Sequence, residues 1–589
     1  MQQKKQTRRE MGSVMILCII PVCTAALLIL VPSIEEPLKI VFLGIALLAV
    51  GLLGKKQISR HENSGEVIVE RRVRFPQTSN GHRRVVVIGG GPAGLTAGYK
   101  LTEHRVPAIV VEKALIVGGL ARTENYKGYR FDVGGHRFFT KSRLVQQMWE
   151  DVLGSDFLYR RRLSRIYYRQ KFFDYPLRPV GALHGLGLVN GLRIVLSYLG
   201  AQLFPHRREE TFEQWVSNRF GKRLFEIFFK SYTEKVWGIS CSELRAEWAA
   251  QRIKTLTLWS TMTSMFWKSR ATITTLIEHF HYPRLGPGMM WNAVKNRIEE
   301  AGGEVLTESE VVCINRTGRS IDSVVIRQGE ETKVIEGSDF ISSMPLTELI
   351  ARLDPPPPAE VVRAASTLRY RDFITVCLIV NKKDLFSDNW IYVHDPDIKV
   401  SRIQNFKNWS PEMVPDPATS SLGLEYFCTE GDELWRTCDA DLIELGKREA
   451  EQMGLLVNED VLDGCVFRVP KSYPIYDSSF REQLATVRSF VDQLENLHTI
   501  GRNGLHRYDN QDHAMLTGMW AVRNILFGEA NDVWQVNTEQ EYHEQIRTEG
   551  YQEDPVALDD YDHDELEPRS SNGAAHPATS NGWRTGVLE

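Results

Sequence analysis

The run VVVIGGGPAGLTAGYKL, residues 85–101, constrains the fold more than any other stretch of the chain. It sets Gly89-x-Gly91-x-x-Gly94 directly after a β-branched run, residues 84–88, and directly before a helical pattern over Ala93–His104. Gly89 permits a tight turn, Gly91 lets the backbone approach a pyrophosphate, and Gly94 allows close helix packing; the helix N-terminus adds unfilled N–H groups and a partial positive charge. A second strand, Ala108–Val111, ends at Glu112, 23 residues after Gly89, where a carboxylate can accept both hydroxyl hydrogens of an adenosine ribose. The chain therefore opens as the β-α-β unit of a dinucleotide-binding domain, the alternative being an unliganded tight turn.

Two further glycine turns extend the pattern. Gly118-Gly119-Leu-Ala-Arg122 follows Glu112 closely and would bring bare backbone and one guanidinium to the same pyrophosphate. Gly501, Arg502 and Gly504 precede a last helix read over Asp512–Leu526. A late turn of this kind suits a long flavin nucleotide, whose ribityl chain needs donors far from the first strand. Between these limits strand and helix patterns alternate: helices over 144–153, 183–204, 212–230 and 291–301, then strands over 305–314, 323–327 and 336–342. Strands at 373–380, 390–393 and 422–427 suggest an antiparallel sheet. With its first strands and last helix more than 400 residues apart, the cofactor domain must contain an inserted substrate region.

Composition bounds the rest. The 589 residues carry 71 Lys+Arg against 75 Asp+Glu, a net charge of -4, and 42% are apolar, which excludes a basic nucleic-acid module and supplies a sizeable core. Eight Cys occur without a CxxC pair, so neither a disulfide scaffold nor a metal site is expected.

Met11–Pro32 and Pro37–Gly54 are apolar runs that can cross a bilayer core of about 30 Å, the second only if Lys39 snorkels or the helix sits nearly upright. Basic residues flank both outer ends (Lys4, Lys5, Arg8 and Arg9; Lys55, Lys56 and Arg60), and Glu35 and Glu36 fill the turn. The reading is a two-helix membrane hairpin with the catalytic region on the cytoplasmic side. The expected layout is residues 1–54 as hairpin, 55–83 as linker and 84–528 as an α/β, Rossmann-like cofactor domain. Its insertions would be mostly helical at about 140–290 and mixed sheet at about 365–480, with a polar, largely disordered tail over 529–589.

The motifs VVVIGGGPAGLTAGYKL, VVEK, GGLART, FDVGGHRFF, FFKSYTEKVWG and GRNGLHRYDNQDH resemble the flavoprotein superfamily of amine oxidases and protoporphyrinogen oxidases, over about residues 83–528. In motif content the chain is most similar to UDP-galactopyranose mutases of the eukaryotic type. The resemblance implies an amine-oxidase-type fold and non-covalent FAD, held by Gly89, Gly91, Gly94, Glu112, Gly118, Gly119, Arg122, Gly134, Gly135, Gly501, Arg502 and Gly504.

Read without aid, paired glycines Gly134-Gly135 allow a flat ring to lie on backbone and His136 to hydrogen-bond to it; a turn-capping His is the plain alternative. The resemblance places His136 near the flavin N5. It also implies that Tyr392, Arg402, Tyr473, Tyr508 and Arg252 bind a substrate diphosphate, with Trp237 on the cavity wall and His136, Arg252 and Arg402 catalytic. Guanidiniums would neutralise phosphates while neutral phenols add short hydrogen bonds.

In such a mutase the reduced flavin attacks the anomeric carbon, diphosphate leaves, the sugar ring opens and recloses, and diphosphate returns. The expected substrate is a nucleotide- or lipid-linked diphospho-sugar, with the bilayer and an NAD(P)H-type reductant or redox partner also implied, and no nucleic acid. The competing reading is an FAD oxidoreductase of desaturase or amine-oxidase type acting on an apolar or membrane-associated substrate. The basic run Arg160, Arg161, Arg162, Arg165, Arg169 and Lys171 reads as a solvated face, a phosphate-steering surface or a contact for anionic lipid.

Overall fold

The computed structural model describes residues 83–175, 186–246, 275–276, 279–537 and 545–546. In chain order, the elements that position the site are β1 (Val85–Ile88), α1 (Pro92–Glu103), β2 (Ala108–Val111), β3 (Ser164–Tyr168), β4 (Lys171–Asp174), α2 (Pro287–Glu300), β5 (Glu304–Leu306) and β6 (Asp339–Ser342). They continue with β7 (Tyr370–Val380), β8 (Trp390–Val393), β9 (Arg402–Asn405), β10 (Ser420–Cys428), β11 (Val461–Pro474), β12 (Leu497–Thr499) and α3 (Gln511–Phe527).

The first sheet is parallel, in the order β5-β2-β1-β6-β12. Both of its faces are covered, so β1 has no polar alternation: Val85 and Val87 pack with residues of α1, α2 and α3 such as Leu95, Val294 and Met515. Val86 and Ile88 point the other way, onto Ile314, Val324 and Ile326. Crossover pairing brings residues 339–342 beside β1 and residues 497–499 beside those, so three distant stretches form adjacent strands of one sheet.

The second sheet has seven strands, in the order β11-β7-β10-β9-β8-β3-β4. Neighbours are antiparallel except β8 and β3, which run parallel. Register sets Tyr392 opposite Arg402, Arg402 opposite Glu425, and Glu425 opposite Thr375. A strand pair on the basic run is a departure from the expected antiparallel trio. Two of the charges there are absorbed, while Arg161, Arg169 and Lys171 stay exposed: Arg165 makes a bidentate pair with buried Asp388 at 2.6–3.0 Å, and Arg162 stacks over Tyr175 and Trp390.

The expected single helix over 212–230 is also divided. Phe212–Phe220 stops at Gly221, whose φ of +82° and tight approach to the Tyr198 backbone exclude a side chain. A π turn over Glu226–Lys230 then leads into Ser231–Trp237. Such a turn re-aims the residues that follow it, here Tyr232 and Trp237.

The expected membrane hairpin, and with it the membrane location and cytoplasmic orientation, is not upheld. Among the described residues no helix is long and apolar enough to cross a membrane. The two apolar runs on which the expectation rested, within residues 11–54, lie outside the described residues, as do most of the linker and most of the tail.

Candidate functional site

A cavity of about 660 Å³ runs between the two sheets. At one end the β1–α1 turn supplies Gly89 and Gly91. Gly91 is the N-cap of α1 and Pro92 its first helical residue; no side chain caps this end, so its N–H groups remain available to an anion. Gly119 of the second turn closes on Gly91: a Cβ on Gly119 would lie 3.1 Å from the Gly91 Cα. Gly118 donates its N–H to the Gly90 carbonyl at 2.8 Å and so ties the two turns together. Gly94 stands behind the turn, packed on the Gly89 carbonyl, and Gly504 packs on the Ser342 carbonyl.

Glu112 is buried and accepts N–H bonds from Gly90 at 2.7 Å and Ala114 at 2.8 Å. A carboxylate has about four acceptor sites, so these two bonds orient Glu112 and leave capacity for ribose hydroxyls. Arg122 is less available than expected, because Glu124 takes its Nε at 2.6 Å and the Gly119 carbonyl takes Nη1 at 3.0 Å.

At the other end stand Gly134, Gly135, His136, Tyr392, Arg402, Tyr473, Arg502 and Tyr508, all on the cavity wall. His136 Nδ1 lies 2.9 Å from the Gly134 carbonyl. A carbonyl only accepts, so Nδ1 carries the proton. Burial, together with Arg502, Arg402 and Arg122, pushes the imidazole down to about 3, so His136 is neutral near pH 7 and its Nε2 is an acceptor.

This gives a prediction with a definite sign. The folded pKa lies below the usual 6.5, so between about pH 3 and 6.5 unfolding takes up a proton at His136 and stability falls as the pH drops through that window. In urea titrations at several pH values, His136→Gln should flatten the dependence near pH 5 by roughly 1.4 kcal/mol per pH unit. An unchanged slope would contradict a neutral His136 in the folded chain.

Tyr473 and Tyr508 stack at 5.3 Å, with the Arg502 guanidinium 5.3 and 4.7 Å from their ring centroids. Arg502 is held by the carbonyls of Asp509 at 2.8 Å and Ser472 at 3.0 Å. Burial is the main reason the Tyr473 phenol is pushed up to about 12, so it is a hydrogen-bond donor at neutral pH. Trp237 stands one layer back, fully buried and 6.1 Å from the rings of both tyrosines. It supports the wall and does not line it. Arg252 lies outside the described residues.

Glu425 is the residue that sequence reasoning missed. It is fully buried and binds Arg402 through Nε at 2.9 and 3.0 Å and Nη2 at 2.5 Å; it also accepts the Gln404 amide at 2.9 Å. Burial works against the Arg402 charge, but Glu425 holds its pKa above the ordinary value. Gln404 in turn fills the space a Gly135 side chain would need, with Nε2 only 2.4 Å from such a Cβ. A signal was present: Glu425 interrupts the otherwise apolar strand LGLEYFC, and a lone acid there is buried and paired more often than not.

Residues 87–152 match the family model of an NAD(P)-binding Rossmann-like domain. An L-amino-acid oxidase of Crotalus adamanteus is 30% identical over 116 residues, 17% of this chain and 22% of the oxidase. The chain spans about half or less of the length of the curated relatives it matches. Among solved structures, a reduced UDP-galactopyranose mutase superposes with TM-score 0.68 at 21% identity, over 78% of this chain and all of that one. A putative protoporphyrinogen oxidase of Exiguobacterium sp. 255-15 superposes with TM-score 0.58 at 14% identity, over 77% and 100%.

Together with the glycine turns, these findings show an NAD(P)-binding Rossmann-like domain over residues 87–152, within a fold shared with a UDP-galactopyranose mutase and a putative protoporphyrinogen oxidase. The group to be accommodated is then a dinucleotide, with FAD as the one expected from the sequence. The site fits that group: Gly91 and Gly119 leave a cradle that one Cβ would narrow, the N-terminus of α1 faces it, and Glu112 is fixed at the ribose end.

Proposed function

We propose that the enzyme isomerises a sugar carried on a diphosphate, nucleotide- or lipid-linked, between ring forms without net oxidation. The observation that carries this reading is the gathering of Tyr392, Arg402, Tyr473 and Tyr508 on one cavity wall with His136, from stretches of chain as far apart as residues 136 and 508.

When bound and reduced, FAD supplies a nucleophilic nitrogen for the anomeric carbon. The protein's part is to hold the diphosphate while it is detached and to return it. Glu425 occupies the Nε and Nη2 edge of Arg402, which leaves Nη1 for a phosphate oxygen and keeps the guanidinium from swinging. The Tyr473 and Tyr508 phenols would add neutral hydrogen bonds that stabilise the leaving group without trapping it. His136, with its proton on Nδ1, would offer Nε2 to a ring donor and fix its orientation. Gly134-Gly135 allows that ring to approach closely. The reaction is redox-neutral, so a reductant of NAD(P)H type is needed only to reach the active state.

The same site supports a second reading, an FAD oxidoreductase of amine-oxidase or desaturase type. The Glu425–Arg402 pair favours it, since the pair is electrically neutral and less suited to a polyanion than a bare guanidinium would be. Chemically reduced enzyme should be screened against UDP-, GDP- and polyprenyl-diphospho-sugars, with product ring form and flavin absorbance followed together. Ring interconversion with the flavin still reduced is the expected result. Stoichiometric flavin oxidation by an amine or apolar acceptor, with no change of ring form in any sugar, would establish the oxidoreductase instead.

A further inference from the structure

Tyr392 and Arg402 face each other across one hairpin, β8 and β9, whose connection is residues 394–401. Three consecutive carbonyls where β8 ends are taken by side chains of the helix Ser231–Trp237. Lys235 Nζ donates to the carbonyls of Val393, at 3.2 Å, and of Asp395, while Ser231 Oγ donates to the one between them, that of His394. Ser231 and Lys235 stand at i and i+4 and so share a face of their helix. We propose that Lys235 is a positioning residue of the site: it clamps the hairpin and so sets how Tyr392 and Arg402 together meet a phosphate group. This rests on the diphosphate reading above.

The helix meets the hairpin with a ring as well as with donors. Tyr232 stacks on His394 at 4.7 Å and meets Tyr392 edge to face at 5.6 Å. The π turn Glu226–Lys230 immediately before the helix sets the rotation that brings these side chains to the hairpin. The far side of the connection is held by Glu449 on the helix Asp439–Gln452, which accepts the N–H groups of Lys399 at 2.7 Å and Val400 at 3.0 Å. With carbonyls tied to one helix and N–H groups to another, the connection cannot shift without breaking charge-assisted bonds at one end or the other. Burial pushes the Lys235 ammonium down to about 8, against the pull of Glu449, Asp395 and Asp397. His394, which also faces it, is pushed down to about 3 by burial and stays neutral. Lys235 is therefore charged at neutral pH and gives up its proton within about two units above it, leaving the carbonyls with weaker, neutral donors.

The test combines hydrogen–deuterium exchange of the holoenzyme with calorimetric binding of inorganic pyrophosphate. Exchange is read on the peptide spanning residues 390–402, whose Val393 and His394 amides donate to the carbonyls of Ser401 and Tyr167, with residues 463–469 of β11 as reference. Lys235→Met removes the donors and nearly keeps the volume. It should speed exchange in 390–402 at least about 10-fold, leave 463–469 unchanged and weaken pyrophosphate at least about 10-fold. Ser231→Ala should act in the same direction and less. Wild-type protein taken from about pH 7 to about pH 9.5 should loosen in 390–402 alone, once the intrinsic rate is corrected for. Unchanged exchange there in Lys235→Met would overturn the clamp. Faster exchange with wild-type pyrophosphate affinity would overturn its positioning role, since the hairpin would then move without consequence for the anion. If exchange quickens in both peptides the variant is losing its fold, and the wild-type pH series decides: no local loosening overturns the inference. If the wild type binds no pyrophosphate, the diphosphate reading fails, whereas the exchange result still judges the clamp, so the two failures are told apart.

Discussion

Replacing Arg402 by alanine should lower the free energy of unfolding by about 3–5 kcal/mol, whatever it does to turnover. The reason is Glu425, which is fully buried and would be left as an uncompensated charge between β-strands. The double variant Arg402→Met/Glu425→Gln removes both charges while nearly keeping volume, and should recover most of the loss. Denaturant unfolding of the two singles and the double forms the cycle that measures the coupling. Near-zero coupling would mean that the pair seen across β9 and β10 contributes little. The comparison also guards against misreading activity data: lost activity in Arg402→Ala shows a substrate role only if the variant is folded under assay conditions. Arg402→Lys, which retains a charge beside Glu425, is the safer probe.

Gly94→Ala should yield protein with less than about a tenth of the wild-type FAD content. A Cβ at this position would lie 1.9 Å from the Gly89 carbonyl oxygen and 3.1 Å from its carbon. Both are backbone atoms, so no flexible side chain can give way, and the turn and α1 must separate. Overpacking of this kind costs about 1–3 kcal/mol or more, and the movement falls where the cofactor's pyrophosphate should meet the helix N-terminus. Gly200→Ala is the matched control, since that glycine lies inside the helix Leu188–Leu203 with open space around it. It should stabilise by roughly 0.5–1 kcal/mol and leave FAD bound. FAD released on heat denaturation, per mole of chain, is the measurement. Equal FAD in wild type and Gly94→Ala would refute the proposed place of the cofactor.

The nucleotide end of the cavity was legible because its chemistry is local. Gly89, Gly91 and Gly94 fall within six residues, and Glu112 follows on the next strand of the same β-α-β unit. The end that holds Tyr392, Tyr473 and Tyr508 was legible only through resemblance, since no local pattern connects Tyr392 with Tyr473 or Tyr508. What escaped both routes depends on register. Glu425 meets Arg402 because β9 and β10 pair with those two residues opposite each other, and a one-residue slip would send one of them to the other face. The basic run divides for a similar reason, with Arg161, Arg169 and Lys171 exposed and Arg162 buried. Arg165 and Arg162 look alike in sequence, yet one finds Asp388 and the other an aromatic stack, both more than 200 residues away or across a sheet. The split of the helix over 212–230 was partly visible in Gly221; the contact with Tyr198 that requires a glycine there was not.

The parallel sheet also sets a timetable for biosynthesis. β1 finds one neighbour in residues 339–342, and those strands find theirs in residues 497–499. At a ribosomal rate of about 5–20 residues per second, roughly 20–80 s separate the emergence of the Gly89 turn from that of the Gly501 turn. Until residues 339–342 emerge, Val85–Ile88 has one edge unpaired, and from then until residues 497–499 the open edge is that of Asp339–Ser342, an aggregation hazard in either case. Gly89 and Gly501 can line one cavity only after the last strand is made, so the cavity is completed late in synthesis.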